Sequence, residues 1–319
     1  MQDLIRRRDI NKNSDNNISG KQDVTLNKKN LKHEPVRNQS IPLRVLSRIV
    51  VIFSLLIVVY FSSSKEKLET FARRSEFLPG KGVIIKCSTE FMKEIDKYEG
   101  CLLSECKRFV ADTVINITEA EGLLAIAKKG LKFGGSSGGA SILDLNSGAL
   151  SKGENFINIF KHGKAKNLFT EQDFSLYQTV KDKIKSSIAI HFGVHPHKIY
   201  LTHPTFFSEI TPKEAVTVHD EYWHPHVDKE TYKSFHYTSL LYLGDYGVDF
   251  DGGRFVFVDM NVKRSIEPRK GRVIMFTSGA ENLHYVEKVT SGTRYAVTIS
   301  FTCDKQYAIQ DPSISKYKN

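Results

Sequence analysis

One uninterrupted apolar run does most to limit what this chain can be. It extends from Ile49 to Phe61 with Ser54 its only polar member, and Ser62, Ser63 and Ser64 lengthen it without adding charge. A helix over Val45–Ser64 has 20 residues, the length that crosses a bilayer core. Arg48 falls in its first turn, where a long cationic side chain can reach the headgroups. The uncharged stretch of 16 residues is short and suits the thinner membranes of the early secretory route. A buried core helix would break its apolar positions more often. A cleaved leader is disfavoured by the polar tail of over 40 residues that precedes the run. The expectation is therefore one transmembrane signal anchor, residues 45–64, with a disordered tail, residues 1–44, before it.

Orientation follows the basic residues. Lys28, Lys29, Lys32, Arg37, Arg44 and Arg48 lie ahead of the run, and Lys65, Lys67, Arg73 and Arg74 follow it. That bias places the tail in the cytosol and the body in the lumen, as a single-pass type II protein. Residues 1–48 hold eleven Lys/Arg against five Asp/Glu, six of the ten net positive charges of the 319-residue chain. The basic excess belongs mainly to the tail. The body shows no basic stripe interleaved with aromatics, so no nucleic-acid partner is expected. The Arg6-Arg7-Arg8 run reads as a sorting signal or as solvated charge.

All four cysteines, Cys87, Cys101, Cys106 and Cys303, follow the anchor. An even number on the lumenal side suggests two disulfides, with three pairings open. Asn116-Ile117-Thr118 is a glycosylation sequon on the same side. The lumenal portion divides by texture. Residues 65–110 read as a stalk and an irregular Cys-containing segment, and residues 111–197 as a helical support region. A first helix is expected where Thr118 and Glu121 have capping-box spacing, ending at Gly130. The Gly134–Gly139 stretch reads as a flexible loop, without the Gly-Lys-Ser/Thr ending of a phosphate-binding loop. A second helix is expected over about Glu171–His191, capped by Thr170 and Asp173 and stopped by Gly193.

From Ile199 the texture turns to short β-type runs: Lys198–His203, Phe206–Ile210, Thr238–Leu243, Arg254–Val258, Arg272–Phe276 and Arg294–Thr302. They suggest a sandwich or barrel-like roll over residues 198–307, closed by a tail, residues 308–319. The fold class is α+β, with helices supporting a β domain. Within that domain His226 and Asp228 are one residue apart, so extended backbone sends both to one face. His284 lies near the end of another strand pair. Two histidines and one carboxylate can hold one triangular face of an octahedral metal and leave three positions open, as in non-haem Fe(II) sites. Arg294 opens a strand whose parity puts Tyr295, Val297, Ile299 and Phe301 on one face. Arg294, Ala296, Thr298 and Ser300 share the other. A guanidinium on that sparse face can pair bidentately with a carboxylate ligand, the alternative being a surface salt bridge.

Five ordered segments carry a resemblance. They are His226-Val227-Asp228; Ser239-Leu240-Leu241-Tyr242-Leu243; Gly252-Gly253-Arg254-Phe255; Pro268-Arg269-Lys270-Gly271 leading to Met275-Phe276; and His284-Tyr285-Val286 followed by Gly292-Thr293-Arg294. The stretch from about Thr205 to Cys303 resembles the prolyl 4-hydroxylase-like 2-oxoglutarate- and Fe(II)-dependent oxygenases. The chain with its anchor further resembles the 2-oxoglutarate and iron-dependent oxygenase domain-containing protein 3 family. The resemblance implies a double-stranded β-helix, or jelly roll, holding Fe(II) through His226, Asp228 and His284, with Arg294 on the distal carboxylate of 2-oxoglutarate. It implies a dioxygenase that uses O2, releases succinate and CO2, hydroxylates a side chain of a secretory-pathway protein, and is sustained by L-ascorbate. The setting implied is an ER or Golgi membrane with the catalytic domain lumenal.

The sequence also departs from that family. Prolyl hydroxylases of this group commonly place Lys where Arg294 stands, and the approach Thr217–Pro225 differs from theirs, so a proline substrate does not carry over. Tyr222, Trp223 and His224 are candidates for substrate contact, or for packing beside the metal. Two other functions fit parts of the pattern. His224-x-His226-x-Asp228 begins like a zinc-hydrolase motif, but Lys229 stands where that motif continues with His. An inactive lumenal binding module would have lost a ligand, and here all three ligands and Arg294 are present.

Overall fold

The computed structural model describes residues 42–62, 67–101, 105–161 and 167–313. The chain separates into two compact units, residues 1–64 and 65–319. The expected tail lies outside the described residues up to position 41. The first unit contributes the helix Pro42–Ser62. Its described side chains, from Val45 to Tyr60, are all exposed. They cover 16 positions, about 24 Å at the helical rise. No helix in the described residues is long and apolar enough to cross a membrane.

The second unit is built on two facing sheets. The larger is eleven-stranded, and its central path runs Lys81–Ile85, Cys106–Ala111, Val273–Thr277, Tyr237–Tyr242, Arg294–Thr302, Phe206–Ile210 and Ala140–Leu143. The smaller has the order Lys67–Ala72, Val262–Ile266, Phe255–Val258 and His284–Val286. Strand parity decides which side chains meet between them. On Arg294–Thr302, Ala296 shares a cluster with Tyr242, Leu240, Ile274, Phe276 and the small sheet's Phe255, Phe257 and Ile266. The alternate residues Val297, Ile299 and Phe301 join the helices in the other core. The helices Ile117–Leu131 and Glu171–Phe192 bury Leu123, Ile126, Tyr177, Val180, Ile184 and Ile188 there. The expected α+β layering is what forms, and Phe206–Ile210 and Arg294–Thr302 match their expected bounds.

Several expectations fail, each for a physical reason. The stalk is no stalk. Lys67–Ala72 pairs in parallel with Val262–Ile266, nearly two hundred residues away, which local pattern cannot show. The Cys-containing segment is not irregular. It holds the antiparallel strands Lys81–Ile85 and Cys106–Ala111 and the helix Thr89–Ile95. Cys87 bonds Cys106, and Cys101 bonds Cys303. Asn116, not Thr118, caps the first helix, in a complete capping box with Glu119. Gly130 does not end that helix but sits inside it. A Cβ there would lie 2.3 Å from Leu143 Cδ2, so glycine lets the helix close on the sheet. The glycine-rich loop is packed rather than free. A Cβ on Gly138 would meet the Asp220 carboxylate at 2.3 Å, and Ser136 donates to that carboxylate at 2.6 Å. Residues 308–313 are docked, with Lys181 Nζ 2.9 Å from Asp311 and Ile309 N–H donating to Leu201 O.

Candidate metal centre

His226 and His284 lie opposite each other in an isolated antiparallel bridge. Their backbones exchange both hydrogen bonds, at 2.9 and 3.1 Å. This pairing joins two segments that are far apart in sequence. After the extended Val227, Asp228 opens a single helical turn. The Asp228 Oδ1 atom is 3.6 Å from Nε2 of His226 and 3.6 Å from Nε2 of His284. One ligand atom from each of the three residues falls within 4.8 Å of the others. No other such group of His, Cys, Asp and Glu exists among the described residues.

The surroundings aim each ligand atom inward. His226 Nδ1 is 3.0 Å from the carbonyl of His224, and His284 Nδ1 is 2.7 Å from the carbonyl of Asn282. A carbonyl only accepts, so Nδ1 carries a proton in both rings and Nε2 is the nitrogen left to face the cluster. Thr238 donates to Asp228 Oδ2 at 2.6 Å and lies 2.9 Å from Ser278 Oγ, which leaves Oδ1 facing the histidines. Phe255 stacks on His284 at 4.7 Å, and Phe276 meets its edge at 5.0 Å. Burial in this aromatic box pushes the His284 imidazole down to about 4, against the pull of the Asp228 charge. The ring is neutral, as a metal ligand must be.

Arg294 is fully buried at the other end of the same sheet face. Its Nε donates to the Gly253 carbonyl at 2.9 Å. Gly253 has φ +64, and a Cβ there would lie 2.9 Å from Arg294 Cδ, so a side chain would displace the arginine. Among the described residues, Arg294 Nη2 and the Tyr242 hydroxyl are both buried without a hydrogen-bond partner. The guanidinium carbon is 5.3 Å from the Tyr242 ring centre. Burial lowers the Arg294 pKa and pushes the Tyr242 phenol up to about 12, so the phenol keeps its proton. A buried cation with Nη2 still free and a hydroxyl beside it form a socket for an anion. Thr238, which touches Asp228, and Tyr242, which touches Arg294, share one face of one strand four residues apart. That is about 13 Å of strand, with Leu240 and Ala296 between as an apolar floor. Arg294 and Tyr242 thus offer donors to an anion at the end of this floor away from Asp228.

The other candidates divide. Tyr222 accepts from Val289 N–H at 3.0 Å and packs on Ile210, Phe250 and Val289. Burial raises its phenol, while the Val289 N–H and the Arg294 charge oppose that shift. Trp223 lies under the Lys288 ammonium at 3.8 Å. His224 turns its ring to Glu221 at 2.9 Å and stands outside the cluster, so the His-x-His-x-Asp grouping of a zinc hydrolase does not form. Sequence reasoning gave no role to Tyr242, Thr238, Ser278, Asn282 or Gly253. Strand parity was the one available signal for Tyr242 and Thr238, which face inward beside Ala296 and Ser300.

These features agree with comparison to known proteins. Residues 213–302 match the model of the 2OG-Fe(II) oxygenase superfamily. Over 249 residues the chain is 53% identical to 2-oxoglutarate and iron-dependent oxygenase domain-containing protein 3 of Mus musculus, spanning 77% of this chain and 79% of that one. The chain belongs to this family. A shorter similarity, 50% over 74 residues, is to prolyl 3-hydroxylase 2 of Mus musculus, covering 22% of this chain and 10% of that one. Among solved structures, a prolyl hydroxylase in complex with a hypoxia inducible factor oxygen degradation domain peptide fragment from Trichoplax adhaerens superposes with a TM-score of 0.42. It is 13% identical and covers 68% of this chain and 89% of that one. As a family of 2OG-Fe(II) oxygenases, its members imply Fe(II) and 2-oxoglutarate, and the His226–Asp228–His284 cluster has the donor set for that metal.

The buried histidines predict an acid-sensitive fold. His236 is 1% exposed, and its Nδ1 accepts the Cys303 N–H at 3.1 Å, so its Nε2–H faces Glu94 and the ring is neutral. Burial, with Lys229 adding to it, pushes His236 down to about 3. Both His236 and His284 bind protons less readily folded than unfolded. Their stabilising effect is complete above about pH 6.5 and is lost as pH falls toward 4 and then 3. Each adds a slope of up to about 1.4 kcal/mol per pH unit. Urea midpoints of metal-free protein at pH 7.5, 6, 5 and 4 are expected to fall in that order. A midpoint flat down to pH 4 would contradict neutral burial of these rings.

Proposed function

We propose that this chain is a membrane-anchored Fe(II)- and 2-oxoglutarate-dependent dioxygenase that hydroxylates a side chain of a secretory-pathway protein. The observation that carries the reading is the pairing of a convergent two-histidine, one-carboxylate cluster with an unsatisfied Arg294–Tyr242 socket on one sheet face. The two facing sheets are read as a double-stranded β-helix. His226, Asp228 and His284 would hold Fe(II), and Arg294 with Tyr242 would hold the distal carboxylate of 2-oxoglutarate. When bound, the iron and its cosubstrates supply oxidative decarboxylation to succinate and CO2 coupled to hydroxylation of a C–H bond. The chain's own work is to fix both imidazole tautomers, hold Asp228 Oδ1 inward, and neutralise the cosubstrate's far charge in a dry pocket. L-ascorbate is the reductant proposed to sustain turnover. Tyr222 and Trp223 are proposed at the substrate side, since both stand in the segment leading to His226.

Even without the protein substrate, 2-oxoglutarate turnover should proceed slowly and be read as succinate. Wild-type protein with Fe(II), ascorbate and air should form succinate. Arg294→Ala should need a far higher 2-oxoglutarate concentration, because the site loses its one buried cation. Equal half-saturation in the two proteins would remove Arg294 from the reading.

The anchor and topology rest on other observations. The exposed apolar face from Val45 to Tyr60 exceeds what a water-facing surface carries, and both disulfides follow it. Asn116, Ile117 and Thr118 are exposed, as a glycan acceptor must be. In cells, endoglycosidase should shorten the wild-type chain and leave Asn116→Gln unchanged. A body digested by protease added to sealed microsomes would reverse the topology.

A further inference from the structure

Behind His284, on the side away from the ligand cluster, lies a chain of buried polar groups that starts far outside the oxygenase match. Arg108 stands on the strand Cys106–Ala111 and is 3% exposed. It pairs across the sheet with Phe276, so its side chain points inward with Val110. Its Nε donates to Asn282 Oδ1 at 2.6 Å, and its Nη2 donates to the Glu281 carbonyl at 2.9 Å. The remaining face of the guanidinium is held by Asp259, at 2.8 and 3.1 Å. Asn282 is 1% exposed, and its amide donates to the Thr277 carbonyl at 2.7 Å and lies 3.0 Å from Thr277 Oγ1. The carbonyl of this same residue receives the His284 Nδ1 proton at 2.7 Å. The guanidinium also rests 4.2 Å from the Phe257 ring centre, and Phe257 pairs with His284 across the small sheet.

We infer that Arg108 is a positioning residue for the metal centre, acting on His284 through Asn282. Asn282 precedes a metal ligand by two residues and sits in a 3-10 turn, a backbone that no regular ladder fixes. Its side-chain bonds to Arg108 and Thr277 set the direction of its carbonyl. That carbonyl sets the tautomer and tilt of the His284 ring. An arginine suits the task because its planar fork meets Asn282, the Glu281 carbonyl and Asp259 at once, which a lysine cannot do. Outer-shell partners of ligating histidines are worth roughly 10–100-fold in metal affinity. The strand that carries Arg108 is tied by the Cys87–Cys106 bond, so the lumenal disulfide segment serves the metal site and not only the fold.

This inference rests on the metal reading of His226, Asp228 and His284, and the test separates the two. Co(II) is titrated anaerobically into metal-free, detergent-solubilised full chain, and its visible d–d spectrum gives both affinity and geometry. Wild type should bind and His284→Ala should not. Wild type that binds no Co(II) defeats the metal reading and this inference together. Arg108→Lys, with its fold verified by near-UV circular dichroism, should bind Co(II) roughly 10-fold or more weakly with an altered d–d spectrum. Asp259→Asn, at the partly exposed end of the fork, keeps an oxygen for Arg108 and Arg264, and its fold is verified in the same way. It should weaken binding in the same direction by a smaller factor. Should Arg108→Lys not fold, Asp259→Asn decides alone. Folded variants with wild-type Co(II) affinity and spectrum would show that Arg108 only stabilises the fold.

Discussion

Asp228→Ala is expected to keep its fold and lose essentially all turnover. The two parts have separate causes. Asp228 would supply the anionic ligand, and it brings the only oxygen to the cluster. Two neutral imidazoles without it give a weaker site, and the loss should exceed the roughly 10–100-fold cost of removing an outer-shell partner. The structural cost is small because the carboxylate has a single hydrogen-bond donor, Thr238, and that hydroxyl lies 2.9 Å from Ser278 Oγ. With Asp228 gone, the hydroxyls of Thr238 and Ser278 can satisfy each other, so stability should change by about 1 kcal/mol or less. His284→Ala is a poorer experiment. It strips the Asn282 carbonyl of its donor and opens a hole against Phe255 and Phe276. Succinate formation and urea unfolding, measured on the same Asp228→Ala preparation, check the prediction. Full turnover, or a lost fold, would each count against it.

Arg272→Met is expected to have the opposite profile, a large loss of stability from a residue with no ligand role. Arg272 is 0% exposed and all five of its N–H groups are used. Nε and Nη2 grip Asp112 at 2.7 and 2.9 Å, Nη1 donates to the carbonyls of Arg73 and Glu267 at 3.0 Å each, and Nη2 donates to that of Glu76 at 2.7 Å. Asp112 in turn receives the Leu78 N–H at 2.8 Å. Methionine in its place leaves the buried Asp112 with the Leu78 N–H and Arg269 at 3.9 Å, and takes a donor from three carbonyls. Breaking a buried pair in this way costs about 3–5 kcal/mol. Arg272→Lys should fare little better, with three donors and no fork. The segment fastened here is residues 73–78, so a chain beginning at Lys81, which also loses the strand Lys67–Ala72, should be destabilised at least as much. Adding Asp112→Leu to Arg272→Met should recover part of the loss. Denaturant midpoints that shift by less than 1 kcal/mol would show that the cluster is not the fastening it looks to be.

The strands and helices that were legible in the sequence are those whose partners impose a period. Arg294–Thr302 alternates between two cores, and Glu171–Phe192 repeats at helical spacing with its cap and its terminal Gly193, at φ +70. The ligand cluster was legible because His226 and Asp228 are neighbours and His284 heads its own strand. Lys67–Ala72 was not, because a charged, half-exposed strand shows no alternation and its partner is remote. The Asn116 cap was missed although Asn116 and Glu119 have the same spacing as the pair preferred over it. Two overlapping capping patterns stand within six residues, and only the observed helix start separates them. The loop glycines were misread as flexibility because sequence does not show what approaches them, here the Asp220 carboxylate. Asn282 and Gly253 act through backbone carbonyls, which no residue pattern records.

We propose that one pocket holds Fe(II) and 2-oxoglutarate together. The most direct test mixes full-length protein with Fe(II) and 2-oxoglutarate under argon and records the visible spectrum for the charge-transfer band of the chelate. A band is expected in the wild type, with its loss in Asp228→Ala and a weaker band in Arg294→Ala at the same 2-oxoglutarate concentration. Folded, iron-loaded wild-type protein that gives no band would overturn this reading and favour a binding module without turnover.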